Sequence, residues 1–332
     1  MIVMYKSFAV IAPGKNKIIC QDASWSEDHK DIVSIAVAAD GHGNNNCFRS
    51  DKGAKFAVEC AKDGIYNFVK DQEKLFKPDF KKMLVSPSCE EFKKTLYEKL
   101  IIYTVRSWNK KVGENFDENP FQKEELEKTG EKYRKRFAAG EDISKAYGTS
   151  LIATAITPYY WFGFHIGDGR LTALYPDGSF DQPVPWDPKC YLNITTSICD
   201  DDVLTRDDHL GVRSHLSIYD AQKYPPVAVF LCTDGVDDNY PIEGNEKHLY
   251  KLYRTIALTF SEDGFDSTCK QLQDLVNQFA IKGKGDDTSI AGVIDMETLM
   301  QTVPILKKQI AEEGSTSEKS AKEENSHGIE KL

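Results

Sequence analysis

Three apolar runs of the 332-residue sequence end on the same pair of residues. SIAVAAD closes on Asp40, FGFHIGD on Asp168 and AVFLCTD on Asp234, and glycine follows each at once as Gly41, Gly169 and Gly235. A fourth acidic pair, Asp286-Asp287, stands just before the last apolar run, and Asp22 lies within or just after the second. Singly, Asp-Gly is a turn sequence and strands end in turns. As a set the sites carry more weight, because a carboxylate at the mouth of a buried strand is costly to desolvate unless positive charge meets it. No lysine or arginine recurs at matching strand ends in comparable number. Divalent cations would supply that charge, and hard ions such as Mg²⁺ or Mn²⁺ prefer an all-oxygen ligand set. Two such ions ~3.5–4 Å apart form a hydrolytic or phosphoryl-transfer centre in which a bridging water becomes a nucleophile near neutral pH. The glycines allow backbone to approach the ions, and the Gly41 carbonyl is a candidate ligand. His42 reads either as an ordinary loop histidine or, beside Asp40, as an acid for a leaving oxygen.

Strands must deliver these residues. YKSFAVIA, KIICQDAS and DIVSIAVAAD read as consecutive strands, separated by Pro13-Gly14 and by a polar segment from Glu27 to Lys30. From Arg49 the period becomes helical, with Phe56, Cys60, Ile65, Phe68 and Val69 recurring, and a second helix from Glu90 to Lys110 sets Phe92, Leu96, Leu100 and Tyr103 on one face. Gly113 to Gly140 is highly charged, helical in part and expected to be peripheral. GTSLIATAI, WFGFHIGD and RLTALY are strands again, the last closed by Pro176-Asp177-Gly178. Residues 181–212, rich in Pro and Asp, read as a long surface excursion. PVAVFLCTDG is a further strand, helices follow over roughly 246–260 and 265–281, and TSIAGVID is the last strand. The expected fold is α+β, two mostly antiparallel sheets packed together with helices outside them, in one domain over 1–303. Residues 304–332, rich in Ser, Glu and Lys, are expected to be a disordered tail.

Composition limits the partners. With 52 acidic and 42 basic residues the net charge is -10, which gives no electrostatic reason to seek nucleic acid or an anionic membrane. The N-terminus lacks a secretory pattern and no apolar run approaches the ~18 residues of a membrane span, so the chain reads as cytoplasmic. The eight cysteines are scattered without CxxC spacing, as suits small hydrophobes in a reducing compartment rather than zinc ligands. Asn193-Ile-Thr195 matches a glycosylation sequon that a cytoplasmic chain never has used.

The motifs resemble those of the PPM family, the metal-dependent protein serine/threonine phosphatases also called protein phosphatase 2C, and especially its bacterial branch. QDA at 21–23 and ADGHG at 39–43 are similar to its first acidic motif and DGHG signature, YGTSLIATAI at 147–156 to its Gly-Ser/Thr strand and HIGDGRLTAL at 165–174 to its GDSR strand. LCTDGVDDN at 231–239 looks like its SDG motif and GDDTSIAGVI at 285–294 like its closing DN strand, all in family order. The resemblance implies a four-layer α-β-β-α sandwich with two Mn²⁺ or Mg²⁺ ions at one end. Asp40, Asp234 and Asp286 would be direct ligands, Gly41 would give its carbonyl, and Asp22 would hold metal-bound water. Asp168 and Asp238 match positions that hold a third, weaker ion in many members. His42 would be the general acid, Thr149, Ser150 and Arg170 would be structural, and 181–212 would correspond to a variable flap that influences substrate choice. Three departures stand out: Asn44 replaces a glycine after DGHG, Gly169 replaces the serine of GDSR, and Asp286-Asp287 replaces Asp-Asn. Lys17 stands where eukaryotic members carry a phosphate-binding arginine, and it can attract phosphate only as a point charge.

The expected activity is hydrolysis of phosphoserine and phosphothreonine in proteins, by a metal-bridging hydroxide with His42 as acid and Lys17 assisting at the phosphate. The substrate would be a phosphoprotein, opposing a Ser/Thr kinase in signalling, and the enzyme a monomer. The alternatives are a binding module that keeps the fold without catalysis, against which Asp40, Asp234 and Asp286 are all retained, and a hydrolase of small phosphorylated metabolites.

Overall fold

A computed structural model describes residues 5–76, 89–190, 194–205, 211–219, 224–241 and 243–327, leaving aside the side chains of 72–76, 89–91 and 313–327. Its described strands form two five-stranded sheets in which every pairing is antiparallel. The first runs β1 (Tyr5–Ala12), β10 (Thr288–Asp295), β9 (Ala228–Cys232), β6 (Arg170–Leu174), β7 (Phe180–Asp181). The second runs β2 (Ala23–His29), β3 (Val33–Ala39), β4 (Leu151–Ile156), β5 (Tyr160–Ile166), β8 (Arg213–Ile218). The sheets face each other across Ala36, Ala38, Ile152, Trp161, Leu171, Val229 and Ala291.

Each outer face is covered by helices. On the second sheet Ile35 and Val37 pack with Ala57 and Ile65 of α1 (Ser50–Phe76) and Trp108 of α3 (Ile102–Glu118), the helix that continues α2 (Cys89–Thr95). On the first, Phe8, Phe230 and Ile290 pack with residues of α7 (Asn245–Asp263), α8 (Phe265–Lys282) and α9 (Met296–His327), including Tyr253, Phe260, Val276 and Leu299. This is the expected α-β-β-α order. Because β3, β4, β5 and β9 are buried on both faces, they read as unbroken apolar runs rather than alternating ones.

Several boundaries differ from the sequence reading. The second strand is ASWSEDH, beginning after the apolar KII, and Ile18 and Ile19 lie 100% and 59% exposed in the preceding loop. A polar edge strand is held by its ladder to β3 rather than by its own hydrophobicity, so Glu27 to His29, expected as a separator, is strand. Between α2 and α3 the chain makes a π-helical segment, Leu96–Ile101. Its wider turn rotates the buried face, so that Thr104, Val105 and Trp108 point inward while Tyr103, placed on the inner face by simple periodicity, is 49% exposed. Residues 113–140, which carry α4 (Lys123–Glu127) and α5 (Glu131–Ala138), are less peripheral than expected. Buried Arg49 binds Glu125 with both Nε and Nη2 at 2.8 Å, donates to the Asn119 and Pro120 carbonyls, and lies over the Phe121 ring.

The excursion after β7 is also packed rather than superficial, burying Val184, Asp187, Cys190, Ile198, Cys199 and Val203, while 191–193 and 206–210 lie outside the described residues. The expected boundary at 303 moves as well. Helix α9 continues through it because Leu306, one turn beyond Thr302, is fully buried against the α7 and β10 core, and Gln309 Nε2 donates to the Gly178 carbonyl at 3.3 Å.

Candidate active site

Strand register gathers the carboxylates. Ala39 at the end of β3 lies opposite Ala23 at the start of β2, and Leu151 at the start of β4 opposite Ile166 at the end of β5, so Asp22, Asp40 and Asp168 leave the second sheet at one edge. In the first sheet Ile290 pairs with Cys232, which sets Asp234 beside Asp286 and Asp287. Face-to-face packing superposes the two edges. Asp22, Asp168 and Asp286 act electrostatically on Asp40, and Asp40, Asp168, Asp286 and Asp238 act on Asp234.

The backbone holds this arrangement closely. Thr149 Oγ1 and Ser150 N both donate to the Asp40 carbonyl at 2.8 Å, and Asp40 N donates to Ser150 Oγ at 3.1 Å. Two of the Asp-Gly glycines are there for close approach rather than for turning. A methyl group on Gly41 would lie 2.5 Å from the Gln21 carbonyl oxygen and 2.8 Å from that of Ser50. On Gly235, in the short helix α6 (Asp234–Asp237), it would lie 1.9 Å from the Asp287 carbonyl oxygen.

Asp40, Asp168 and Asp234 lack compensating charge among the described residues. Burial, followed by the charges of Asp22, Asp168 and Asp286, holds Asp40 well above the usual carboxylate range. Burial with Asp40 and Asp168 alongside pushes Asp234 up to about 10, and burial pushes Asp22 up to about 7 against hydrogen bonds from Ser289 and Thr233. Burial also raises Asp168, against a hydrogen bond from the Thr195 hydroxyl. Among the described residues no lysine or arginine pairs with Asp40, Asp168 or Asp234, and the buried Oδ1 atoms of Asp22 and Asp168 meet no donor. No three of these side chains, among the described residues, already stand as a finished coordination sphere. The set nevertheless fits a hard divalent ion: all its donors are oxygen, and orphaned buried acceptors belong to a cluster whose charge Lys17 offsets only at Asp286 and Asp287.

The other expected residues divide. Asp238 is half exposed at the rim and pairs with Lys284 at 3.0 Å. Lys17 reaches the cluster, but its ammonium is bonded to Asp286 and Asp287 rather than open to a phosphate. The His42 ring points elsewhere. It packs by Gly148, where an added methyl would meet its Cδ2 at 2.9 Å, Cys47 Sγ at 3.1 Å and Cys199 Sγ at 3.3 Å. Burial pushes His42 down to about 4, the charges acting on it are those of Asp200 and Lys145, and its buried Nε2 has no partner among the described residues. Asn44 Oδ1 accepts from Asn46 N at 2.9 Å in a tight turn, and Asn46 Oδ1 accepts from Gly130 N at 3.2 Å, so these asparagines shape the loop rather than the acidic cluster.

Sequence reasoning missed several residues that hold the carboxylates. Thr233 and Ser289 hydroxyls donate to Asp22 Oδ2 at 2.9 and 2.7 Å; the only signal was a hydroxyl residue inside each apolar strand. Asp237, one residue from the expected Asp238, binds Arg170 at 3.0 Å, and that guanidinium stacks 3.5 Å from the Trp186 ring centre. In the excursion, buried Asp187 accepts from Thr196 Oγ1 at 2.6 Å, next to the Thr195 that meets Asp168.

Fold and site together define a four-layer sandwich with an oxygen-only acidic centre at one end. The chain belongs to the protein phosphatase 2C family, whose sequence profile matches residues 14–277, and this places it among the protein serine/threonine phosphatases. Among solved structures it is similar to the S. agalactiae serine/threonine phosphatase, at 16% identity and a TM-score of 0.49, over 88% of this chain and 99% of that one. It is similar also to the Mycobacterium tuberculosis serine/threonine phosphatase PstP/Ppp, at 14% identity and a TM-score of 0.48, over 88% and 99% of the two chains. No curated protein matches the chain. Among the described residues no helix is long and apolar enough to cross a membrane.

Proposed function

We propose that the chain removes phosphate from phosphoserine and phosphothreonine in proteins, using two Mn²⁺ or Mg²⁺ ions held by Asp40, Asp234, Asp286 and the Gly41 carbonyl. A third, weaker ion is assigned to Asp168 and Asp238. The observation that carries this reading is the convergence, within a family of phosphatases, of the partly buried carboxylates of Asp40, Asp168 and Asp234, which no cation among the described residues neutralises. Bound ions would supply Lewis acidity, neutralising phosphoryl oxygens and acidifying the attacking water. The chain supplies position. Thr149 and Ser150 fix Asp40, and Thr233 and Ser289 fix Asp22 Oδ2 so that its free Oδ1 can accept from the attacking water. The substrate is assigned as a phosphoprotein opposing a Ser/Thr kinase in cytoplasmic signalling, with the enzyme acting as a monomer. The net charge of -10 disfavours nucleic acid. A higher kcat/KM for sugar phosphates than for phosphoserine peptides would move the assignment to small metabolites.

His42 is assigned as donor to the leaving Ser or Thr oxygen, a duty that requires its ring to turn out of the Gly148 pocket. General acid catalysis contributes about 10²–10⁴-fold where the leaving group is poor and little where it is good. His42→Asn is therefore expected to slow a phosphoserine peptide about 100-fold but p-nitrophenyl phosphate less than about threefold. Equal losses on both substrates, measured as kcat, would remove the proton donor role.

A further inference from the structure

The loop from Gly14 to Gln21 is wrapped around one side chain. Asp287, 1% exposed, accepts from Gly14 N and Gln21 N, each at 2.7 Å, and from Lys17 Nζ at 3.1 Å. Lys17 N donates to the Gly14 carbonyl at 3.0 Å, which closes the turn that aims the side chain inward. With three donors Asp287 is satisfied in place. Its neighbour is different: Asp286, whose side chain is 50% exposed, bonds the same ammonium and faces Asp40 and Asp234. One cation of the protein therefore sits on the carboxylate through which a divalent ion would be bound.

We propose that Lys17 is an internal competitor for the ion at Asp286 and sets how tightly that ion is held. The inference rests on the metal reading above. An ammonium and a divalent ion in contact with one carboxylate repel each other, so an ion entering at Asp286 must displace the ammonium, which stays tethered by Asp287. Lys17 thus weakens metal binding while keeping the loop and Asp286 in place before the ion arrives. Its removal leaves Asp287 with both backbone donors and leaves Asp286 with a full negative charge.

The test is calorimetric titration of the full chain with MnCl₂, comparing wild type, Lys17→Met and Lys17→Arg. Removing a charge near a partly exposed ion pair is expected to tighten one Mn²⁺ by about tenfold in the Met variant, with Arg within about threefold of wild type. Met affinity equal to or weaker than wild type overturns the inference alone. Absence of Mn²⁺ binding by wild type overturns the metal reading and the inference with it. Should the Met variant fail to fold, wild type answers independently. After reductive ¹³C-methylation, the lysine signal missing from Lys17→Arg belongs to Lys17, and it should shift as Mg²⁺ displaces the ammonium. A Lys17 signal that stays fixed while Mg²⁺ binds overturns the inference.

Discussion

Asp40→Asn is expected to lower turnover on a phosphoserine peptide by about 10³-fold while leaving the cation-free fold as stable as wild type or more so. The two effects have one cause. The Asp40 backbone is gripped by Thr149 and Ser150 whatever its side chain carries, so the near-isosteric amide should not move the loop. The carboxylate itself is unfavourable in the metal-free fold, since burial and the charges of Asp22, Asp168 and Asp286 all oppose its ionisation. Removing it relieves that repulsion, yet it also removes a charge that the proposed function assigns to the divalent ions. Thermal melting in EDTA should show an equal or higher midpoint for the variant, and Mn²⁺ should raise the wild-type midpoint but not that of the variant. A variant that melts well below wild type in EDTA, or that keeps its turnover, would show that Asp40 is a structural turn residue.

Gly235→Ala should be the most damaging single methyl group near the site. Its Cβ would lie 1.9 Å from the Asp287 carbonyl oxygen and 2.8 Å from Thr288 Oγ1. The obstruction is backbone, so relief requires α6 to move away from the start of β10, which carries Asp234 away from Asp286. The expected loss is about 3–5 kcal/mol of stability, at the severe end for a point substitution, together with most Mn²⁺-dependent activity. Gly113→Ala is the control: in α3 its added methyl would meet no atom of the described residues within 4 Å, and it should stabilise by about 0.5–1 kcal/mol. Denaturant unfolding of both variants measures the difference. A Gly235→Ala protein with wild-type stability would contradict the packing of α6 against β10.

What could be seen in the sequence was whatever local pattern determines. TSIAGVID is β10 to the residue, because a strand buried on both faces is a continuous apolar run with a sharp beginning. Asp40, Asp168 and Asp234 stood out because a charge after such a run needs a reason. The edge strand β2 was misplaced because its stability comes from pairing with β3 rather than from its own residues. Tyr103 was turned the wrong way because a π-helical segment breaks the 3.6-residue period. Asp287 stands in the sequence only as the departure from Asp-Asn, yet its partners, Gly14 and Gln21, lie 273 and 266 residues away. The His42 ring, adjacent to a site residue in sequence, shares its pocket with Cys199, which no spacing rule could supply. Arg49 and Glu125 were likewise joined only by the fold.

The central claim is that the acidic end of this sandwich works by holding divalent ions. Phosphate release from a phosphoserine peptide, measured on EDTA-stripped wild-type protein while Mn²⁺ is titrated back, tests it most directly. The account predicts no turnover without the metal and a saturable return with it. Undiminished turnover in the metal-free protein would contradict it.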